Sequence, residues 1–365
     1  SRRCARAMSG VDRQALFSGT EPPPPQLQLD VRALANWFAG RLEGLGSDFQ
    51  VEKFKGGQSN PTYRLTGERS YVLRRRPPGP LLPSAHAIDR EYRVMSALHR
   101  AGYPVPEPLL YCDDEAVIGS AFYVVRDARG RIHWNAELPG SGRPERAAIY
   151  DAMNAQLARL HCFDVAGLGL ADFGARSGYL ERNFARWSKV YRQSELVPIP
   201  DMDWLIAHLP EAMPAEQRSC LLHGDYGLYN IVIAPDAPRI VAVLDWEIST
   251  LGDPFVDLAH HVRAWWEPPG SGGAATSLRE HDPVALGIPV LEDYIAGYCR
   301  RMDLAELPYR NFYLGFAQFR YAAMVQGILK RAAIGTAASR AMLHRQERVS
   351  EVAALARATL AGRGT

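Results

Sequence analysis

Two stretches carry the residue types that phosphate chemistry needs. They are His223-Gly224-Asp225-Tyr226-Gly227-Leu228-Tyr229-Asn230 and Leu244-Asp245-Trp246-Glu247. Moving a phosphoryl group off a nucleotide requires Mg²⁺ to neutralise the phosphate oxygens. Mg²⁺ is hard and takes oxygen ligands, typically one or two carboxylates plus phosphates and waters. An Asp and an Asn carbonyl supply such ligands. A further carboxylate, not committed to the metal, can orient an acceptor hydroxyl and take its proton. The interval between Asn230 and Asp245 fits a hairpin that brings both to the same end of two adjacent strands. The plainer alternative makes Asp225 and Asp245 loop caps and His223 a satisfied buried histidine. A metal-dependent hydrolase built on His223 and Asp225 needs more clustered His and acidic ligands than the chain offers.

The elements that must position these residues change character along the chain. Pro22 to Pro25 is stiff and extended, so residues 1–29 read as a flexible tail with a proline linker. Asp30 looks like an N-cap, and Val31, Leu34, Trp37, Phe38 and Leu42 follow at helical spacing. Three β-like runs, 49–55, 62–66 and 70–75, are separated by Gly56-Gly57 and Gly67-Glu68. A helix follows over residues 85–100, and 121–125 reads as a buried strand. Beyond Pro144 helical patterns dominate, over 145–161, 179–192 and several segments after Leu291. A β-rich island at 220–223, 231–233 and 239–244 interrupts them and holds the two motifs. The expectation is an α+β chain: a small β-rich lobe with one key helix over 30–126, and a larger, mainly helical lobe over 127–365.

Composition bounds the function. The chain has 365 residues, is 47% hydrophobic and 22% charged, and so reads as an ordinary globular protein long enough for about two domains. Lys+Arg 42 against Asp+Glu 40 leaves a net charge of +2, which offers no argument for nucleic acid or a membrane surface as partner. No run approaches the ~20 apolar residues of a membrane span. The cysteines at 4, 112, 162, 220 and 299 are odd in number and widely spaced, which suits a reducing compartment. Residues 1–13 hold four arginines with Asp12 as their one acid. Met8 reads as the natural start in preference to an organellar leader, and a cytoplasmic protein is expected.

With these residues in view the chain resembles a known family. His-Gly-Asp-x-x-x-x-Asn followed by Leu-Asp-Trp-Glu is similar to the aminoglycoside phosphotransferases, which have a protein-kinase-like two-lobe fold. More narrowly, the chain resembles the kinase-like domain fused to acyl-CoA dehydrogenases in some animal proteins, and its free-standing bacterial relatives. Gly57-Gln58-Ser59-Asn60-Pro61-Thr62-Tyr63, Tyr71-Val72-Leu73-Arg74, Ser84-Ala85-His86, Asp89-Arg90-Glu91-Tyr92, Ile199-Pro200, Leu251-Gly252-Asp253-Pro254 and Asp257-Leu258-Ala259 carry that match.

The resemblance implies roles. Asp225 matches the catalytic base, with His223 beside it. Asn230 and Asp245 match the metal pair. Gly56, Gly57, Gln58, Ser59 and Asn60 match the phosphate-covering turn, although two glycines between strands also make a plain hairpin. Arg74 stands where kinases keep a phosphate-binding lysine, and Glu91 matches the helix carboxylate that pairs with it. Read alone, Arg74 is equally a solvated basic edge. Val125, Arg126 and Asp127 match the hinge that meets adenine. Asp253 and Asp257 are expected to organise the catalytic loop. His260 reads as helix surface and His261 as core. Trp265, Trp266, Phe312, Tyr313, Phe316 and Phe319 read as core packing.

The chain also departs from its relatives. They usually read Phe-Arg-Leu-Asp where Tyr226-Gly227-Leu228-Tyr229 stands, so a basic and an acidic side chain are missing beside the base. The implied function is an ATP- and Mg²⁺-dependent phosphotransferase acting on a small-molecule hydroxyl. A hydroxyacyl-CoA is the implied acceptor, with a functional link to an acyl-CoA dehydrogenase. The alternatives are a pseudokinase-like module that binds nucleotide or acyl-CoA without turnover, and an aminoglycoside phosphotransferase, whose cationic substrates call for an acidic pocket.

Overall fold

The computed structural model describes residues 13–56, 60–77, 87–175, 177–216, 218–269, 277–333 and 346–363. Contact density divides the chain into two compact units. One comprises residues 1–135, 168–170 and 228–249, the other 136–167, 171–227 and 250–365. The chain is mixed α+β, as its patterns imply.

The first unit is built on an antiparallel sheet. Its strands are β1 (Thr20–Glu21), β2 (Gln50–Phe54), β3 (Thr62–Thr66), β4 (Ser70–Arg75), β5 (Pro108–Cys112) and β6 (Phe122–Arg126), in the order β1-β2-β3-β4-β6-β5. Helices α1 (Arg13–Phe17), α2 (Val31–Phe38) and α3 (Ile88–Arg100) accompany it. α2 begins where Asp30 accepts the Ala33 N–H at 2.9 Å. Its Leu34 and Phe38, one turn apart, pack with Tyr63, Leu65, Tyr71, Leu73, Phe122 and Val124. Side chains alternate across a strand. Tyr71 and Leu73 therefore face this core, while Arg74 emerges on the other side of β4, where α3 lies.

Residues 13–29, expected as tail and linker, are ordered instead. β1 pairs with β2, Gln14 donates to Ile132 O at 2.7 Å, and the Tyr63 hydroxyl donates to Leu27 O at 2.7 Å. The proline run supplies no amide N–H donors of its own, and neighbouring residues make the attachments.

The first unit also contains the hairpin β8 (Ile231–Ile233) and β9 (Ile240–Val243). Backbone bonds tie it down: Arg131 N to Ile233 O at 2.7 Å and Ile233 N to Arg131 O at 2.9 Å. At Gly130 a Cβ would lie 2.3 Å from Ile233 O, so only glycine allows this approach.

The second unit is mainly helical: α4 (Arg143–His161), α5 (Tyr179–Ser194), α6 (Pro200–Ala212), α7 (Pro254–His261), α8 (Arg263–Trp266), α9 (Pro283–Leu286), α10 (Leu291–Arg301), α11 (Arg310–Ala333) and α12 (Gln346–Leu360). A short antiparallel pair, β7 (Cys220–Leu222) with β10 (Thr250–Gly252), precedes the first motif and leads into α7. Asp253 caps α7, accepting the Phe255 N–H at 2.9 Å, and Pro254 occupies the first helical position. Phe312, Tyr313, Phe316 and Phe319 are buried along α11. Among the described residues no helix is long and apolar enough to cross a membrane.

Candidate active site

In the first unit the site is organised around Arg74. Its guanidinium lies 3.1 Å from Glu91, 2.7 Å from Asp245 and 2.9 Å from Glu247. Glu91 sits on the apolar stripe of α3 with Ile88, Met95 and Leu98, and is 1% exposed. A carboxylate on a buried stripe needs a partner, and Arg74 is that partner. Burial pushes Glu91 up to about 7, helped by the charges of Asp245 and Glu247 and opposed by Arg74 and a Tyr123 hydrogen bond. Burial works against the charge of Arg74, yet the surrounding carboxylates and Tyr123 raise its pKa above the ordinary value.

The hairpin places the second motif. Ile231 pairs with Val243, and Leu244 N donates to Asn230 O at 2.8 Å. Asn230 just before β8 and Asp245 just after β9 thus lie at one end of the hairpin, as the spacing predicts. Asp245 adopts φ 66°, a left-handed backbone that Asp and Asn tolerate better than most residues. The donor set is one that a hard divalent cation takes: an amide carbonyl and carboxylate oxygens, with no sulfur or imidazole among them. Asp245 and Glu247 together outweigh the single positive charge of Arg74, an imbalance that a divalent cation would correct.

In the second unit the loop after β7 holds Asp225, whose side chain is 34% exposed and therefore open to a substrate. Gly224 adopts φ 88° to make the turn. α7 holds this loop at successive residues. The Asp257 carboxylate accepts the N–H of His223 at 2.8 Å and of Gly224 at 2.9 Å. His260 Nε2 lies 2.9 Å from Asp225 Oδ1. His261 Nδ1 lies 3.2 Å from Tyr226 O, and its Nε2 lies 2.6 Å from the Tyr294 hydroxyl.

Three environments shift titrations here. Burial acts to raise Asp257, but the His161 hydrogen bond, the charges of His161 and His223, and the His223 amide hold it down to about 2. Burial pushes His261 down to about 4. Burial also lowers His260, with Arg263 and Arg320 adding to the effect and Asp225 opposing it.

The other expected residues fall as follows. Gly57, Gln58 and Ser59, with Ser84, Ala85 and His86, lie outside the described residues. Gly56 sits against Phe17 and Trp134. Asn60 is buried and donates to Glu247 Oε2 at 3.3 Å. Val125 pairs with Val72, while the N–H groups of Arg126 and Asp127 donate to Glu107 O at 2.9 Å and Ser70 O at 3.4 Å. His223 needs correction as a catalytic residue. It is fully buried, and its Nδ1 accepts the Asp225 N–H at 3.2 Å, so it holds the loop. His260 needs correction as helix surface, because it faces Asp225. Glu247 also joins the site without having been assigned a role. Its signal was its place two residues after Asp245, as that of His260 was its i,i+3 spacing from Asp257. Tyr229 is buried and stacks on Trp134, with ring centroids 6.1 Å apart.

Comparisons with known proteins show the family and the fold. The model of the phosphotransferase enzyme family matches residues 50–307. Mouse acyl-CoA dehydrogenase family member 10 is 41% identical over 336 residues, covering 91% of this chain and 31% of the mouse protein. Human acyl-CoA dehydrogenase family member 11 is 39% identical over 328 residues, covering 86% of this chain and 41% of the human protein. The chain thus spans less than half the length of these relatives. Among solved structures, a Ralstonia eutropha chain provisionally named an aminoglycoside phosphotransferase superimposes with a TM-score of 0.82 at 40% identity, covering 92% of this chain and 99% of that one. An aminoglycoside phosphotransferase bound to AMP-PNP and hygromycin B shares the fold alone, with a TM-score of 0.57 at 16% identity over 90% of this chain and 99% of that one.

Proposed function

The chain belongs to the phosphotransferase enzyme family, as a small-molecule kinase of protein-kinase-like fold, and we propose that it moves the γ-phosphoryl group of ATP, with Mg²⁺, to the hydroxyl of a hydroxyacyl-CoA. One observation carries the phosphotransferase reading: Arg74 on β4 contacts both Glu91 on α3 and Asp245 of the second motif. A strand cation fixed by a helix carboxylate and facing a metal-binding Asp is what phosphate alignment requires.

Asn230 and Asp245 would hold the divalent ion, which supplies charge neutralisation on the transferring phosphates. Arg74 would clamp phosphate oxygens through its guanidinium N–H groups. Asp225 orients the acceptor hydroxyl and takes its proton as the oxygen–phosphorus bond forms and the bond to the leaving ADP oxygen breaks. Positioned base chemistry is worth ~10²–10⁴-fold, so alignment and charge stabilisation supply the rest.

One feature supports an acyl-CoA acceptor: the relatives at about 40% identity are named acyl-CoA dehydrogenase family members. A working link to an acyl-CoA dehydrogenase and a cytoplasmic setting belong to the same reading.

The test is ADP release, with mass analysis of products, across 4-hydroxyacyl-CoAs and amino sugars. A phosphorylated acyl-CoA from the wild type, absent with Asp225→Asn, is the expected result. A phosphorylated amino sugar with inert hydroxyacyl-CoAs would overturn the acceptor. Nucleotide binding with no product from either would replace the enzyme by a binding module.

A further inference from the structure

α7 presents Asp257, His260 and His261 at i, i+3 and i+4, on one face, towards the loop that carries Asp225. Asp257 and His261 engage backbone groups, the N–H of His223 and Gly224 and the carbonyl of Tyr226. These bonds would hold the loop whatever side chain stood at position 225. Of the three, only His260 reaches the carboxylate itself, at 2.9 Å. We propose that His260 is the positioning residue of the base: it fixes the Asp225 carboxylate and, by changing its own charge, sets how readily that carboxylate accepts a proton. The inference rests on the assignment of Asp225 as the base.

The chemistry follows from the contact. A ring nitrogen this close to a carboxylate oxygen carries the hydrogen, so Nε2–H donates to Oδ1 and favours the other carboxylate oxygen for the acceptor hydroxyl. The charged groups acting on the imidazole are Asp225 from the loop, Arg263 from the residues after α7, and Arg320 from α11. Arg263 is itself paired with Glu267 at 2.9 Å. Burial and the two guanidinium groups favour the neutral ring, and Asp225 favours the imidazolium. With the ring neutral, Asp225 has a dipolar partner and stays basic. Once the ring is protonated, the contact becomes an ion pair that stabilises the carboxylate and weakens it as a proton acceptor. Transfer therefore falls in acid with the titration of His260.

Two measurements test this. Histidine-labelled protein is titrated by NMR, with the His260 signal assigned from His260→Gln. The His260 pKa should fall by roughly one unit in Asp225→Asn, because a neighbouring carboxylate shifts a partner by about that much or more. An unchanged pKa overturns the proposal, and this arm needs no turnover. In the ADP-release assay, His260→Ala should lower kcat about tenfold or more without raising KM for ATP. His260→Gln keeps an N–H donor, should recover most of that loss, and should abolish the acid limb set by the ring. An acid limb unmoved in His260→Gln also overturns the proposal. NMR coupling without product from any acceptor upholds the pairing and defeats the base assignment. Turnover without coupling defeats the pairing alone.

Discussion

The Asp257 carboxylate accepts the backbone N–H of His223 at 2.8 Å, and its other oxygen accepts that of Gly224. One buried side chain thus fixes the peptide units that lead into Asp225. Its carboxyl is held down to about 2, below the ordinary 3.8. A lowered carboxyl contributes stability that is complete above the unfolded value and is lost as pH falls through the folded one. That contribution is about 2 kcal/mol. Asp257→Asn should lower denaturation stability by at least this much at pH 7. The gap to wild type should narrow between pH 4 and pH 2. A gap constant over that range would show that the charge is not what holds the loop.

Arg74 and Glu91 make a pair whose two halves fail differently. Glu91 is 1% exposed and its pKa is already pushed up to about 7, so Arg74→Ala leaves it protonated and without its buried partner at neutral pH and should cost about 1–3 kcal/mol. The double variant Arg74→Met, Glu91→Gln removes both charges and should recover most of that stability, as seen by chemical denaturation. It should not recover nucleotide affinity, because no phosphate clamp remains. Recovery of ATP binding in the double variant would take Arg74 out of the phosphate site.

His261 supplies a pH dependence of the same sign as that of Asp257, in a higher pH window. Its ring is buried, engages Tyr226 O and the Tyr294 hydroxyl, and has its pKa pushed down to about 4. A lowered histidine pKa means that the unfolded chain takes up a proton the folded one refuses. Stability is therefore complete above the unfolded value near 6.5 and declines as pH falls towards 4, by about 3 kcal/mol in all. Denaturation midpoints for wild type should drop between pH 7 and pH 4.5. His261→Gln, destabilised at neutral pH, should show a visibly flatter profile over that range. A profile of unchanged steepness would assign the acid sensitivity elsewhere.

Local signals made much of this readable. β3 and β4 run over 62–66 and 70–75 as their alternation predicts, and Asp30 caps α2. The hairpin places Asn230 and Asp245 at one end because its length and turn residues leave little choice. β5 gave no signal, since Pro108 opens it and a strand at the sheet edge needs little alternation. β10 has three residues, too few for a period. The ordering of residues 13–29 depends on partners far along the chain, such as Ile132 and Tyr63. His260 escaped notice for a similar reason. Spacing placed it on a helix, but the contact with Asp225 depends on how α7 is rotated against a loop 35 residues earlier.

Asp245 allows charge to be separated from backbone geometry. At φ 66°, alanine would add about 1 kcal/mol of left-handed strain, whereas Asn tolerates this region. Asp245→Asn therefore keeps the turn and removes only the charge that Arg74 and a divalent ion would share. Thermal unfolding of the variant should remain cooperative, with Arg74 still paired to Glu91 and Glu247. In wild type, Mg²⁺ should tighten ATP binding by calorimetry; in the variant that tightening should fall by at least ~10-fold, equivalent to about 1.4 kcal/mol. Binding without metal should change little or improve, because a negative charge near the phosphates has gone. A variant that keeps the full Mg²⁺ effect would place the ion on other ligands, with Glu247 the next carboxylate to replace.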